Sequence, residues 1–294
     1  MGPLLVAPFT LWSVEPLAWR VGDRELDCSA RTLVMGILNV TPDSFSDGGR
    51  FLDHEAAVRH ALGMASDGAD LIDVGGESTR PGSDPVTTSE EIDRVVPVVK
   101  RLAAELPSIP ISIDTRKADV AETALDAGAT IVNDVSAGAD PRMFEVARAA
   151  GAGVVLMHMK GEPKTMQQAP HYDDVVAEVR EYLAERVRDA EEAGIERDRL
   201  CVDPGLGFGK IERHSLLLMK EIGALLDIGR PVLVGPSRKS FIGHVLGGAD
   251  VRERVEGTVG AVAYMVSRGA HVVRVHDVRD VARAVRVVDA IVRA

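Results

Sequence analysis

The sequence lacks the features that mark export, membrane insertion or a metal-binding scaffold. Its 294 residues include two cysteines, Cys28 and Cys201, which lie far apart and form no metal or redox motif. No stretch reaches the roughly 18 continuous apolar residues of a membrane span. The largely apolar segment 3–11 has no basic residues before it and is interrupted by Pro8. We therefore expect a cytoplasmic protein without a membrane partner.

Positive charge is scarce as well. The chain carries 34 lysines and arginines against 45 acidic residues, which gives a formal net charge of −11. A nucleic-acid-binding protein needs a basic patch that neutralises phosphates, and the sequence offers none. We expect no nucleic-acid partner, so any phosphate group on a ligand must be met by a few local arginines and lysines.

What the chain does have is a regular alternation of short β-branched runs with amphipathic helical stretches, from Thr32 to the carboxyl terminus. We count about eight strand–helix units, the number that closes a (β/α)8 barrel. Runs continuous in Val, Ile and Leu are typical of parallel strands covered on both faces. No linker divides the chain, so the sequence predicts an α/β fold in which residues 32–294 form a single TIM-barrel domain.

Residues 1–31 precede this repeating part. Trp19 and Val21 are placed on one arm of a short β-hairpin, Gly22 and Asp23 in its turn and Leu26 on the returning arm. We expect this amino-terminal hairpin to precede the first barrel strand and to cover one end of the barrel.

Unusual polar residues come at the carboxyl ends of the predicted strands. They are Asn39, Glu77, Asp114, Asn133, His158, Asp203, Lys239, Arg274 and His276. Loops are polar in general, which explains any one of them. Glycine-rich turns follow several members of the set, however, and the carboxyl ends of the strands are where TIM barrels build active sites.

Two kinds of chemistry are represented at these strand ends. Asp114, Asn133 and Asp203 offer carboxylate and amide groups that can pair with the N–H edge of a flat heterocycle, and Lys239 can meet its carbonyl or ring nitrogens. A separate set of residues suits an anion such as pyrophosphate, namely Asn39, Arg274 and His276.

The geometry of strands supports the anion set. Arg274 and His276 are two residues apart, so their side chains point to the same face, and Asn39 is adjacent because the first and eighth strands meet when a barrel closes. Ser240 begins a helix, where its hydroxyl is either part of a carboxylate or phosphate site or an ordinary N-cap.

The loop after the first strand stands out within the segment 33–49. Pro42 and the pair Gly48-Gly49 favour an irregular backbone. Phe45 lies among polar residues with no obvious core to enter, which leaves two interpretations open: it is part of a lid, or it packs on a neighbouring loop.

Eight longer segments carry a resemblance to a known family. In order they are MGILNVTPDSFSDGG, DVGGESTRPG, IDTRK, NDVSAG, LMHMKGEPKTMQ, DPGLGFGK, VGPSRKSFIG and RVHDV. They closely resemble the dihydropteroate synthases of folate biosynthesis, from Thr32 to the carboxyl terminus. The resemblance implies a TIM barrel, usually a homodimer and a sulfonamide target. It further implies a transferase that condenses 6-hydroxymethyl-7,8-dihydropterin pyrophosphate with 4-aminobenzoate to give 7,8-dihydropteroate and pyrophosphate.

The resemblance also assigns roles to residues. The implied pterin site consists of Asp114, Asn133, Met157, Asp203, Gly207 and Lys239. The implied pyrophosphate site consists of Asn39, Arg274 and His276, with Mg²⁺ as cofactor and Asn39 as its ligand. The implied 4-aminobenzoate site consists of Thr79, Arg80, Pro81, Phe208 and Ser240. The residues implied in catalysis are Phe45, Asp47, Lys239, Arg274 and His276.

In the family's reaction, pyrophosphate is thought to leave early, so that the amine attacks a pterin-methylene cation. Arg274, His276 and Mg²⁺ would stabilise the leaving anion, and closed loops would exclude competing water. The chain departs from the family at Ile211 and at His214-Ser215, where Thr and His-Asn are usual.

Two alternatives remain at this point. A duplicated, non-catalytic family member would keep the barrel as a binding protein. A related barrel that transfers a methyl group from methyltetrahydrofolate to a corrinoid would share the pterin pocket but need no anion site, so Arg274 and His276 argue against it.

Overall fold

The computed structural model describes residues 17–41, 49–78, 85–162 and 164–294. The strands in these ranges are β1 (Ala18–Val21), β2 (Arg24–Asp27), β3 (Leu33–Asn39), β4 (Leu71–Gly75), β5 (Ile111–Asp114), β6 (Ile131–Asp134), β7 (Gly153–Met157), β8 (Leu200–Asp203), β9 (Leu233–Val234) and β10 (Val272–Val275). The α-helices are α1 (Gly49–Asp67), α2 (Thr88–Glu105), α3 (Ala118–Asp126), α4 (Met143–Ala149), α5 (Val175–Glu192), α6 (Glu212–Lys220), α7 (Ser240–Val245), α8 (Val255–Val266) and α9 (Val278–Val292).

Strands β3 to β10 form a parallel barrel. They pair in the order β8-β7-β6-β5-β4-β3-β10-β9, and a parallel bridge between Val202 and Val232 joins β8 to β9. The Val202 N–H donates to the Pro231 carbonyl at 2.9 Å across this junction. The predicted (β/α)8 barrel is therefore confirmed, with a helix following each of its strands.

The amphipathic pattern of the helices explains how they cover the barrel. In α2, the buried residues Val95, Val98, Val99 and Leu102 recur at helical spacing. The Thr87 side chain accepts from the Glu90 N–H and caps the first turn. Strand β4 is buried along its whole length, as expected for a parallel strand between the barrel interior and a helical layer.

The amino-terminal hairpin closes one end of the barrel, as predicted. Strands β1 and β2 are antiparallel, with Trp19 opposite Leu26. The Trp19 side chain is fully buried and its indole N–H donates to the Arg199 carbonyl at 3.0 Å. A Cβ atom at Gly153 would lie 2.6 Å from Val21 Cγ1, so the hairpin packs too closely to admit any larger residue there.

Two apolar layers result. The larger one lies between the strands and the surrounding helices. The smaller one fills the amino-terminal half of the barrel interior beneath the hairpin, and it consists of Trp19, Val21, Cys28, Leu33, Met35, Leu71, Ile131, Val155, Cys201, Leu233 and Val272. A membrane-crossing helix, long and apolar enough for that purpose, does not occur in the described ranges.

Candidate active site

The carboxyl-terminal half of the barrel interior is polar, and Arg274 stands at its centre. The Arg274 Nε atom lies 2.6 Å from Asp73 Oδ2, and Nη2 lies 2.5 Å from Asp114 Oδ2. Burial lowers the pKa of Arg274, but the two carboxylates outweigh this effect, so the pKa lies above its usual value. The guanidinium is thus a permanent cation that bridges β4, β5 and β10.

Asn133 belongs to the same group of contacts. Its Nδ2 atom donates to Asp73 Oδ2 at 3.0 Å. Asp73 itself is fully buried, and its second oxygen, Oδ1, has no hydrogen-bond partner among the described residues. One carboxylate oxygen therefore holds both the guanidinium of Arg274 and the amide of Asn133.

Asp114 is strongly affected by its surroundings. Burial raises the pKa of its carboxyl group to about 7; Arg274 opposes this effect, and Asp73, Glu91 and Asp134 add to it. Its side chain is 12% exposed, at the open side of the cluster. A carboxyl group that titrates near neutrality at the mouth of a barrel is a typical feature of a functional site.

On the other side of the interior, Lys239 and Asp203 form the second half of the cluster. The Lys239 Nζ atom donates to the Leu206 carbonyl at 2.6 Å and lies 4.0 Å from the centroid of the Phe208 ring. Burial lowers the pKa of Lys239 to about 8, with Asp203 opposing the shift. Burial also raises the pKa of Asp203, whose Oδ1 atom accepts from the Gly205 N–H at 2.7 Å.

Gly207 and Met157 complete this wall. A Cβ atom at Gly207, where φ is +80°, would lie 3.3 Å from Lys239 Cδ, so a larger side chain would press on the lysine. Met157 is buried at the end of β7 and is in register with Asp203. The structure thus brings together all six residues predicted for the pterin site.

The predicted anion set is arranged differently from the expectation. Arg274 is not separate from the heterocycle-binding residues, since it binds Asp73 and Asp114 directly. His276 follows β10, and its Nδ1 atom lies 3.0 Å from the Ser237 hydroxyl, which also accepts the His276 N–H at 3.1 Å. Asn39 ends β3, half-buried and in register with Gly75. Their role toward pyrophosphate stays a prediction.

Ser240 is exposed and is the first residue of α7. The N-cap position belongs to Lys239, which makes no side-chain capping bond. The interpretation of Ser240 as an ordinary N-cap is therefore wrong, because the residue lies one position inside the helix. A role in binding a carboxylate stays a prediction.

The loops after β7 and β8 are fastened to each other behind the site. A Cβ atom at Gly205 would lie 2.0 Å from the His158 carbonyl oxygen, and one at Gly209 would lie 2.1 Å from that of Lys160. The buried Lys210 Nζ atom lies 2.8 Å from His158 Nδ1 and donates to the Phe208 carbonyl at 3.0 Å. Burial lowers the pKa of His158 to about 3, and Lys210 adds to the shift, so the ring is a neutral acceptor.

Comparison with known proteins agrees with this geometry. A family model described as pterin binding enzyme matches residues 35–276. The dihydropteroate synthase of Synechocystis sp. is 44% identical over 93% of this chain and 94% of its own length. That of Escherichia coli is 47% identical over 89% of this chain and 92% of its own length.

Solved structures give the same result. A Yersinia pestis dihydropteroate synthase in a sulfonamide complex superimposes with a TM-score of 0.89 at 42% identity, covering 95% of this chain and 100% of that chain. A Xanthomonas albilineans dihydropteroate synthase in complex with 7,8-dihydropteroate gives a TM-score of 0.84 at 43% identity, covering 93% of this chain and 98% of that chain. The chain belongs to the dihydropteroate synthase family.

Five residues that the family resemblance implicates fall outside the described ranges. They are Phe45, Asp47, Thr79, Arg80 and Pro81. The proposed contributions of these residues to a lid and to the 4-aminobenzoate site stay predictions, and both interpretations of Phe45 remain open.

Two polar residues of the site were missed at the level of sequence. Asp73 lies inside an apolar strand, LIDVG, where a carboxylate has no place unless it is paired, and that mismatch was a usable signal. Lys210 pairs with His158 over a long sequence separation, which no local pattern reveals. Glu77, predicted at the mouth, bonds to Lys117, which also binds Glu91 at 2.6 Å, so it supports the wall of the barrel.

Proposed function

We propose that this protein condenses 6-hydroxymethyl-7,8-dihydropterin pyrophosphate with 4-aminobenzoate, giving 7,8-dihydropteroate and pyrophosphate. The observation that carries the proposal is the group of acceptors Asp114, Asn133 and Asp203 around two cations, Lys239 and Arg274, in the carboxyl-terminal half of the barrel. The named ligands of the family's solved members support it, because the Xanthomonas albilineans protein binds 7,8-dihydropteroate.

The donor and acceptor pattern suits a pterin. The amino group and ring N–H groups of a pterin are donors, which the carboxylates of Asp114 and Asp203 and the amide oxygen of Asn133 can accept. Its ring carbonyl is an acceptor for the ammonium group of Lys239. These contacts would hold the ring at a fixed depth, with its methylene carbon toward the mouth of the barrel.

In the reaction, the bond between the methylene carbon and the diphosphate oxygen breaks, and its electron pair leaves with pyrophosphate. The amine of 4-aminobenzoate then forms the new carbon–nitrogen bond and loses a proton. The carboxylates of Asp114 and Asp203 favour positive charge on the pterin during this step. Arg274 and His276 would stabilise the departing anion, and Ser237 fixes the ring of His276.

A magnesium ion fits this site only together with substrate. No cluster of three or more acidic, histidine or cysteine side chains in the described part of the chain could hold a metal ion alone. Mg²⁺ commonly takes one or two protein oxygens and completes its shell with water and substrate phosphates. Asn39, with its amide oxygen at the end of β3, would hold it against the diphosphate, where the ion would neutralise charge on the leaving group.

The second substrate would lie toward solvent. Phe208 and Ser240 lie beside Lys239. The loops that follow the first two barrel strands would complete the site for 4-aminobenzoate. The Yersinia pestis relative was solved with a sulfonamide. We propose that sulfonamides compete with 4-aminobenzoate here.

The decisive experiment mixes the purified protein with both substrates and Mg²⁺ and measures pyrophosphate release. We expect release that requires 4-aminobenzoate and that falls when the metal is chelated. A folded protein that binds the pterin but releases no pyrophosphate would instead be a non-catalytic binding protein. Transfer of a methyl group from methyltetrahydrofolate to a corrinoid would support the other alternative.

We also propose a cytoplasmic homodimer. Both cysteines are unpaired and buried, which suits a reducing compartment. Exposed apolar side chains occur near α7 and α8, at Val245, Leu246, Val251 and Tyr264, and on α9, at Val287, Ile291 and Val292. Light scattering should give twice the chain mass. Leu246→Asp and Ile291→Asp then show which of the two surfaces holds the dimer together, and a wild-type monomer at working concentration would contradict the proposal.

A further inference from the structure

Asp73 lies beneath the polar cluster, and no substrate contact is assigned to it. Its carboxylate is fully buried in the middle of β4. Oδ2 accepts from Arg274 Nε at 2.6 Å and from Asn133 Nδ2 at 3.0 Å. Oδ1 is buried without a hydrogen-bond partner in the described ranges.

This arrangement decides which way Asn133 faces. The Asn133 Nδ2 atom donates to Asp73 Oδ2 at 3.0 Å, so the amide turns its NH₂ group toward Asp73. The carbonyl oxygen of Asn133 is then left for a ligand above it. The opposite orientation would present two N–H donors to a pterin edge that itself carries donors.

The same carboxylate also sets the plane of Arg274. The guanidinium is held at two separate points, through Nε by Asp73 and through Nη2 by Asp114. Two contacts on a planar group fix both its position and its tilt, which one contact does not.

We propose that Asp73 is a positioning residue, which presents the carbonyl oxygen of Asn133 as an acceptor to the pterin and fixes the guanidinium of Arg274 beside it. The proposal rests on the proposed function, since the dihydropterin is the ligand whose binding depends on the orientation of the Asn133 amide.

Stability alone does not account for Asp73. Arg274 already has a counter-ion in Asp114, and a buried carboxylate with one unpartnered oxygen opposes folding. Replacement of a whole buried ion pair by apolar residues is often neutral or stabilising, whereas removal of one partner alone is destabilising, so the pair as a whole is not explained by stability. A residue kept at a cost to stability is typical of a site whose geometry serves binding.

The test measures the affinity of 6-hydroxymethyl-7,8-dihydropterin by calorimetry. Asp73→Leu removes both acceptor contacts, and we expect about 30-fold weaker binding, together with a lower melting temperature because Arg274 Nε and Asn133 Nδ2 lose their acceptor. Asp73→Asn keeps one acceptor oxygen toward Asn133 and should recover most of the loss. The matched control is Ser112→Ala, which removes a buried hydroxyl without a partner directly opposite Asp73, and it should bind within about twofold of wild type.

A double-mutant cycle separates positioning from general damage. In an Asn133→Ala background there is no amide to orient, so Asp73→Leu should cost at most about one third of its effect on the wild type. An equal loss in both backgrounds, or wild-type binding by Asp73→Leu, would overturn the proposal. If the leucine variant does not fold, the cycle with Asp73→Ala, which also removes both acceptor contacts, decides in the same way. Absence of dihydropterin binding by the wild type would overturn the proposed function as well.

Discussion

The two halves of the barrel interior are built from the same strands, yet one half is apolar and the other is polar. In the half under the hairpin, buried apolar side chains line the interior. Two residues further along four of these strands, polar side chains replace them. The pairs are Leu71 and Asp73, Ile131 and Asn133, Cys201 and Asp203, and Val272 and Arg274. A single step of the strand repeat, about 6.6 Å, therefore separates the part that stabilises the barrel from the part that binds.

This difference predicts that substitutions in the two halves have different signatures. Changes in the apolar half should lower stability and leave substrate affinity intact. Changes in the polar half should chiefly lower substrate affinity, because its polar groups are costly to bury and are retained for binding.

The largest effect is expected from Arg274→Lys. An ammonium group cannot reproduce the fork that reaches Asp73 and Asp114 together, so we expect kcat/KM to fall by about 100- to 1,000-fold. Steady-state synthesis of dihydropteroate measures it. The control is Arg199→Lys below the barrel, where Arg199 binds Glu196 at 2.8 Å and the Gly22 carbonyl at 3.1 Å. A comparable loss of kcat/KM in the control would break the division between the two halves.

Trp19→Ala should give the largest effect on stability. The side chain is fully buried in the apolar half and its indole N–H is hydrogen-bonded. We expect the free energy of unfolding to fall by about 3–5 kcal/mol. Chemical denaturation measures the loss, and KM for both substrates should stay within about twofold. A large rise in KM at temperatures where the variant is fully folded would show that the apolar half also determines the geometry of the site.

Asp114, in the polar half, should make dihydropterin affinity depend on pH. Its ionised form is the better acceptor for ring N–H groups, so dihydropterin binding should strengthen as pH rises through about 7. The groups that face Asp114 are Arg274 from β10, Asp73 from β4, Glu91 from α2 and Asp134 from β6. Asp114→Asn should bind dihydropterin more weakly, and its affinity should no longer fall at acid pH. If the affinity of the variant still falls at acid pH, another group is responsible for the pH dependence.

The sign for stability is the opposite. Because burial raises the pKa of Asp114 from 3.8 to about 7 in the folded state, the neutral form favours folding. This contribution is complete below about pH 3.8 and is lost as pH rises through 7. Relative to wild type, Asp114→Asn should therefore gain stability above pH 7, as measured by denaturant titration at several pH values.

The smallest effect concerns the thiols of the apolar half. Burial raises the pKa of Cys28 to about 12 and that of Cys201 well above its usual value, so neither is a thiolate at neutral pH. Iodoacetamide at pH 8 should modify neither cysteine in the native protein and both in guanidinium. Rapid labelling of native Cys201 would show that the apolar half opens to solvent in the native protein.

Much of this organisation is accessible from sequence. Strand periodicity predicted the barrel and the hairpin, and the carboxyl-end position of Asp114, Asn133, Asp203 and Lys239 predicted that they meet. These inferences succeed because strand direction and side-chain alternation are local properties.

The remaining features depend on contacts between distant segments. That Arg274 joins the carboxylates of two other strands follows from side-chain reach across the closed barrel, which no run of residues encodes. The same holds for Lys210 and His158, whose atoms meet through the packing of two loops. Asp73 was visible as a polar residue in an apolar run, but its partners were not.

The junction between β8 and β9 has a consequence for local opening. Strand β9 spans Leu233–Val234, and within the described residues a single bridge joins β8 to this side of the barrel, between Val202 and Val232, the residue just before β9. The loops that carry Phe208 and Lys239 leave from the two sides of this seam, and the hydrogen bond from Lys239 to the Leu206 carbonyl spans it. Amide hydrogen exchange should therefore be fastest along this seam of the barrel, and a ligand that engages Lys239 should slow it.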